Sequence, residues 1–238
     1  MRILAIDTSA PIATICITEA TVCRGAYTIQ TNAHSTTILP MIESLFQNLH
    51  LTLADCDLLA AAVGPGSFTG IRIGVSTVKG LAFSAGIPCI GVSSLASIAY
   101  GMIGMNGILC PAINARRDHV YTAFFRAVTD ALPVRLTEDM QIPVEELWTR
   151  ITSLDGPVYV AGDGYDMVHR AGKPANLAVT PTLFRIPNAY GVAMAARQIY
   201  QDSGNPSEFT SDALVPIYLR KVQAEREREE RIAAAQRE

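Results

Sequence analysis

Charge is scarce in this 238-residue chain: Asp, Glu, Lys and Arg make up 17% of it, against 49% hydrophobic residues. That balance excludes an intrinsically disordered chain and leaves a globular one, long enough for one large domain or two small ones. The formal net charge of −3 gives no overall pull toward nucleic acid, although a local basic patch stays open. No apolar run approaches the roughly 20 residues needed to span a bilayer. The stretch MRILAIDTS does not read as a secretory leader, because Asp7 breaks its apolar run after Ile3–Ile6. The cysteines (Cys16, Cys23, Cys56, Cys89, Cys110) never form a CxxC pair and read as small core residues in a reducing compartment. The expectation is a cytoplasmic protein with no membrane partner.

The usual catalytic patterns are missing too. The stretch AAVGPGSFTGIRIGVSTVKG (Ala61–Gly80) places a Gly-rich turn between an apolar run and a helix, the setting of a phosphate loop. It fails the P-loop pattern because Gly70 is followed by Ile71-Arg72 instead of Lys-Ser/Thr. It fails GxGxxG because Thr69 stands where the third glycine belongs. Two readings remain: free amides at a helix N-terminus that bind an anion, or a tight turn that lets the next helix lie close on the sheet, the second being favoured. Asp7-Thr8-Ser9, at the end of the first strand, looks like the start of an actin-like phosphate-binding turn. Pro11 follows, however, and no glycine comes before Gly25, so local capping by Asp7 accounts for it equally well. Two histidines four apart on a helix would hold a metal, but the position four after His34 is Ile38, and His119 and His169 are isolated. There is no GxSxG elbow and no cysteine in an activating setting. Arg116-Arg117 is the one paired basic spot outside the tail; hairpin-tip arginines are usually just solvated, with contact to a phosphate as the alternative. The chain is therefore read as having no catalytic residue, no metal and no cofactor.

What is present is alternation of strand and helix patterns. Arg2–Asp7, Ala13–Thr18 and Thr21–Ile29 read as an antiparallel meander. A helix follows from about Ser35, a plausible N-cap, to His50, with Ile38, Leu39, Ile42, Leu45, Phe46 and Leu49 on one apolar face. Leu58–Gly64 reads as a buried strand, residues 70–85 as a second helix, Pro88–Ser94 as a strand and Ser94–Tyr100 as a third helix. A second half begins near Gly104, with a meander of Ile108–Asn114, His119–Ala127 and Pro133–Thr137. Helix Pro143–Ile151, strand Val158–Gly164, helix Asn188–Tyr200 and the extended Leu214–Arg220 complete it. The two halves rhyme, which implies an α/β protein with an internal duplication, mixed sheets and flanking helices. The expected division is residues 1–103, 104–220 and a charged tail, 221–238, of no assigned role.

Taken in order, IDTS, AHSTTILP, GPGSFTGIRIG, VSTVKGLAFSAGIP, NARRDHVY and PIYLR resemble the motifs of the TsaB (YeaZ) family over residues 2–220. The resemblance implies the actin-like ATPase (Hsp70–actin–sugar kinase) fold in two duplicated subdomains. It implies a non-catalytic subunit for making threonylcarbamoyladenosine next to the tRNA anticodon, a dimer partner of the metal-bearing TsaD transferase, joined by the ATPase TsaE. A homodimer when alone and contact with tRNA only through the complex are implied as well. His34 without a partner at Ile38 resembles a degenerate form of TsaD's paired histidines, and Asp7, Thr8 and Ser9 a vestigial phosphate turn. Asn114 departs from the acidic residue expected before Ala-Arg-Arg. The family's helical bundle with its partner implies an interface drawing on His34, Ile38, Met41 and Leu45 of the first helix. From the second helix it draws on Gly70, Ile73, Gly74, Thr77, Gly80, Leu81 and Ser84. Glycines inside a helix cost about 1 kcal/mol each relative to Ala, so a packing reason is expected for them, either on a partner or on the chain's own sheet. An ATP-dependent kinase of the same fold and a metalloprotease-like protein are the rival readings.

Overall fold

A computed structural model describes residues 1–172 and 174–219; Arg220 and the expected charged tail lie outside the described residues. In the first half, strands β1 (Arg2–Ala10), β2 (Ile12–Glu19) and β3 (Val22–Gln30) are followed by helix α1 (His34–Leu49). Strand β4 (Leu58–Gly64), helix α2 (Phe68–Ala85), strand β5 (Cys89–Ser93) and helix α3 (Ser94–Tyr100) come next. The five strands form one sheet in the order β3-β2-β1-β4-β5. The β1, β2 and β3 pairings are antiparallel, whereas β4 and β5 run parallel to β1.

This sheet is covered on both faces, which is why its inner strands read as continuous apolar runs. Along β1 the two-residue alternation sends Leu4 and Ile6 to one face and Ile3 and Ala5 to the other. Leu4, Ile6, Leu59 and Val63 pack with Ile38, Ile42 and Leu45 of α1 and with Ile71, Val75 and Val78 of α2. Ile3, Ala5, Leu58 and Ala60 pack on the opposite side with a helix from much later in the chain.

The second half contains β6 (Gly107–Asn114), β7 (His119–Thr122), β8 (Phe125–Ala127), β9 (Val134–Arg135) and β10 (Met140–Pro143). Helix α4 (Val144–Thr152), strand β11 (Val158–Ala161) and helices α5 (Tyr165–Arg170) and α6 (Ala189–Asp202) follow. The six strands make the second sheet, in the order β10-β7-β6-β8-β9, with β11 parallel on the other edge of β6.

Three details differ from the sequence reading. The strand expected over His119–Ala127 is split at Ala123–Phe124: β7 pairs with Ala112–Asn114 of β6 and β8 with Gly107–Leu109. Ser35 does not cap α1. The helix begins one residue earlier, with Ala33 at the N-cap, and the hydroxyls of Thr36 and Thr37 donate to the Ala33 carbonyl. The third concerns α6, which follows the second sheet in the chain but lies on the first. Val192, Ala193 and Ala196 bury against Ile3, Ala5 and Leu58, and Leu214 joins the core beneath α1 and α2. The division at 103/104 separates the two sheets, but residues 189–219 return to the first. Helix α3 touches both halves: Ile98 and Ala99 pack with Leu109 and Phe125, while the Ser97 hydroxyl donates to Asp7 of β1.

Candidate functional site

The Gly-rich turn lies against the end of β1. Ser67 caps α2 by accepting from the Gly70 amide at 3.2 Å, and its own amide donates to the Ser9 carbonyl at 2.7 Å. The Thr8 hydroxyl donates to the Gly70 carbonyl at 2.7 Å. Gly66 has φ +153° with the Ser9 carbonyl beside it, and a Cβ at Gly70 would run into the Thr8 carbonyl. The glycines thus let α2 begin directly on β1, the tight-turn reading of the sequence.

Asp7 is buried and accepts the Ser9 amide at 2.8 Å and the Ser97 hydroxyl at 3.2 Å. Burial pushes its carboxyl above the ordinary range, opposed by the Ser9 and Ser97 hydrogen bonds and by the charge of His34. These bonds match the capping reading of the Asp-Thr-Ser stretch.

The residues assigned by resemblance to a partner interface divide into two sets. Ile38, Met41 and Leu45 face inward in the first core, and His34 is 6% exposed with an unpartnered Nδ1. Gly70 faces the Thr8 carbonyl and Gly74 the Thr8 hydroxyl. These six are already covered by their own chain, because the apolar stripe of an amphipathic helix is the one its own core takes. The other five lie outward or at the boundary. Ile73, Thr77 and Leu81 are half-buried; Ser84 is exposed, and Gly80 has nothing within 4 Å of a Cβ.

One outward residue escaped the sequence reading, Phe83 on α2, which is 82% exposed; Leu39, read as part of the apolar face of α1, points outward instead and is 53% exposed. The signal for Phe83 was its spacing: Thr69, Arg72, Ile73, Ser76, Gly80 and Phe83 recur at three and four residues, one stripe of a helix. Helices α1 and α2 adjoin on the same face of the sheet.

A cavity of about 610 Å³ opens between the halves. One wall is Ser9 with Gly66–Thr69; the other is Asn114–Arg117 with Asp163; Ile217–Leu219 close one end. The 116–118 turn is held with three consecutive left-handed residues, Arg116, Arg117 and Asp118, at φ 66°, 51° and 58°, a conformation side chains disfavour. Asn114 holds this turn. Its side-chain oxygen accepts the Arg116 amide at 2.8 Å, and its own amide donates to Asp163 at 3.0 Å. An Asp at position 114 would present the same acceptor, so the departure from the family pattern leaves the turn's hydrogen bond in place. Burial raises the Asp163 carboxyl above its ordinary range.

Among the described residues, no group of three or more His, Cys, Asp and Glu is gathered to hold a metal ion. No helix among them is long and apolar enough to cross a membrane.

Comparison with known proteins gives a consistent result. A family model described as "TsaD: tRNA N6-adenosine threonylcarbamoyltransferase" matches residues 28–155. The tRNA threonylcarbamoyladenosine biosynthesis protein TsaB of Escherichia coli is 29% identical over 222 residues, covering 92% of this chain and 95% of the relative. The protein of the same name from Bacillus subtilis is 33% identical over 163 residues, covering 68% and 71%. The solved structure of YeaZ from Pseudomonas aeruginosa superposes with a TM-score of 0.76 at 24% identity, covering 92% of this chain and 99% of that one. The architecture is the actin-like ATPase fold, with mixed sheets flanked by helices.

Proposed function

Because the chain belongs to the TsaB (YeaZ) family of tRNA threonylcarbamoyladenosine biosynthesis proteins, we propose that it serves that modification as a subunit without catalytic residues of its own, dimerising with a TsaD-like transferase. The outward stripe of α2 is the observation that carries this reading. Gly80, with open space around it, admits a second helix at short range, and Phe83 beside it offers a large apolar anchor that its own chain leaves bare. Ile73, Thr77, Leu81 and Ser84 flank that point. His34, Ile38, Met41, Leu45, Gly70 and Gly74 act from behind, by fixing both helices on the sheet.

The subunit's contribution to the reaction is to hold the transferase in its working arrangement, an effect of positioning. A TsaE-like ATPase joins the pair, tRNA is met only through the assembly, and in the absence of the transferase the same stripe pairs two copies of this chain. The protein works in the cytoplasm. The partner-binding subdomain is residues 1–103 with the returning segment 189–219, and residues 104–188 make the second.

Reconstitution tests the reading. Combined with a TsaD-like transferase, a TsaE-like ATPase, ATP, threonylcarbamoyl donor and unmodified tRNA, the chain is expected to raise tRNA modification well above the level without it. Alone with donor and tRNA it is expected to give none. Turnover by the chain alone, lost in Asp7→Ala, would overturn the proposal.

A further inference from the structure

The halves meet in an apolar core and in a polar clasp. In the core, Leu95, Ile98 and Ala99 of α3 pack with Leu109 of β6 and Phe125 of β8. Apolar contact is non-directional, so by itself it lets α3 pivot on the second sheet. The clasp lies at the end of β5. There the Ser93 hydroxyl donates at 2.6 Å to Asp139, which stands between β9 and β10. The other Asp139 oxygen accepts from the Arg135 guanidinium. Arg135 also donates to the Thr137 carbonyl at 3.1 Å and lies 4.6 Å over the Phe125 ring. Asp139 is thus held on the second half by Arg135 and reaches across to the first.

Ser93 is itself anchored. It pairs with Gly64 of β4 in the first sheet, and its hydroxyl caps α3 by accepting the Ala96 amide at 3.2 Å. Helix α3 is tied in turn to α6, which lies on the first sheet. A Cβ on Gly191 would run into the Ser97 carbonyl, and one on Gly101 would meet the Asn188 side chain. The glycines therefore bring the two helices into close backbone contact. The Ser97 hydroxyl adds its bond to Asp7 of β1. These contacts fix α3 to the first half, and the clasp joins that half to the second. Charge-assisted hydrogen bonds are short and directional. They set an angle where the apolar core sets only a distance.

We propose that Ser93, Asp139 and Arg135 lock the two halves at one angle, so that the cavity between them neither opens nor closes in solution. The chain then moves as one body. Asp139 and Arg135 are positioning residues, acting through the geometry they hold. The inference does not rest on the partner reading, although a subunit that works by positioning needs a fixed frame.

A distance between two spin labels on the full chain, without any transferase, tests this. Cys23 is exposed and the other cysteines are buried, so Cys23→Ser gives a background free of accessible thiols. Gln47→Cys on α1 and Thr149→Cys on α4 are exposed positions, one in each half, that carry the labels. The labelled parent is expected to give one narrow distance. Asp139→Ala is expected to broaden it, and so is Arg135→Met, which keeps the stem over Phe125 and loses the donors. Ser93→Thr keeps the hydroxyl and is expected to keep the narrow distance. A merely structural role would lower the melting temperature of Asp139→Ala and leave its distance narrow. The proposal is overturned by a broad or multiple distance in the parent, or by a folded Asp139→Ala that keeps the parent's distribution. Should Asp139→Ala fail to fold, Arg135→Met decides by the same reading. A failure here leaves the reconstitution experiment untouched, because that experiment reads modification of tRNA by the assembly.

Discussion

Gly74 and Gly80 sit on the same helix, six residues apart, and do opposite things. A Cβ on Gly74 would meet the Thr8 hydroxyl at the end of β1, whereas one on Gly80 would meet nothing within 4 Å. The same contrast runs the length of α2. Its inner stripe of Gly70, Ile71, Gly74, Val75 and Val78 is buried against the sheet, and its outer stripe carries Gly80 and a bare Phe83. Small residues on the inner side place the helix close to its own strand. On the outer side, a small residue next to an exposed aromatic has no use within the chain itself. This difference separates the stripe that folds the protein from the stripe that its own chain leaves uncovered.

The largest effect should come from breaking the inner side. Gly70→Val forces side-chain atoms into the Thr8 carbonyl, which is backbone and cannot swing away. It is expected to destabilise the chain by about 3 kcal/mol or more, or to leave it insoluble, as read from urea unfolding. Gly80→Arg and Phe83→Asp strike the outer side. Both should keep unfolding stability within about 0.5–1 kcal/mol of the parent, while weakening binding to a TsaD-like transferase about 100-fold. A milder outer change sharpens the contrast: Gly80→Ala should stabilise the isolated chain by about 1 kcal/mol, because it improves helix propensity and meets no neighbour.

A titration probes the inner side as well. The Asp7 carboxyl binds its proton more tightly folded than unfolded, where its ordinary value is 3.8. The folded state thus holds the extra proton in the window above 3.8, and stability falls as pH rises through that window. Asp7→Asn removes this slope. Its melting temperature is expected to gain on the parent's as pH rises from 3.8 toward neutrality, and the gain to level off once the parent's Asp7 is ionised. The Ser9 and Ser97 hydrogen bonds oppose the burial. A parent that gains on the variant over the same range would contradict the account of Asp7.

Much of the first half was legible because its signals are local. The three-strand meander, the buried Leu58–Gly64 strand and the Gly turn all follow from runs and spacings within a few residues, and they stand as read. The return of α6 to the first sheet is a contact between residues some 190 positions apart in the chain, and no periodicity encodes it. The split of His119–Ala127 into β7 and β8 depends on two different segments of β6, also invisible locally. On the site, the resemblance pointed to α1 and α2 as elements but could not say which stripe of each its own core leaves uncovered. The apolar residues of α1 that look adhesive, Ile38, Met41 and Leu45, are the ones its own core takes. The spacing of Phe83 along α2 gained meaning only once the inner stripe was known. The turn at Arg116–Arg117 read as a solvated hairpin tip, and its place on a cavity wall opposite Ser9 became visible only once the two halves were brought together.

The account's central claim is that the outer stripe of α2 is a partner surface and not a structural one. Titration of the purified chain against a purified TsaD-like transferase, parent beside Gly80→Arg and Phe83→Asp, tests it most directly. The account predicts a one-to-one complex with the parent and a loss of about 100-fold with each variant, with unfolding curves of parent and variants closely alike. Equal affinity in all three proteins would contradict it.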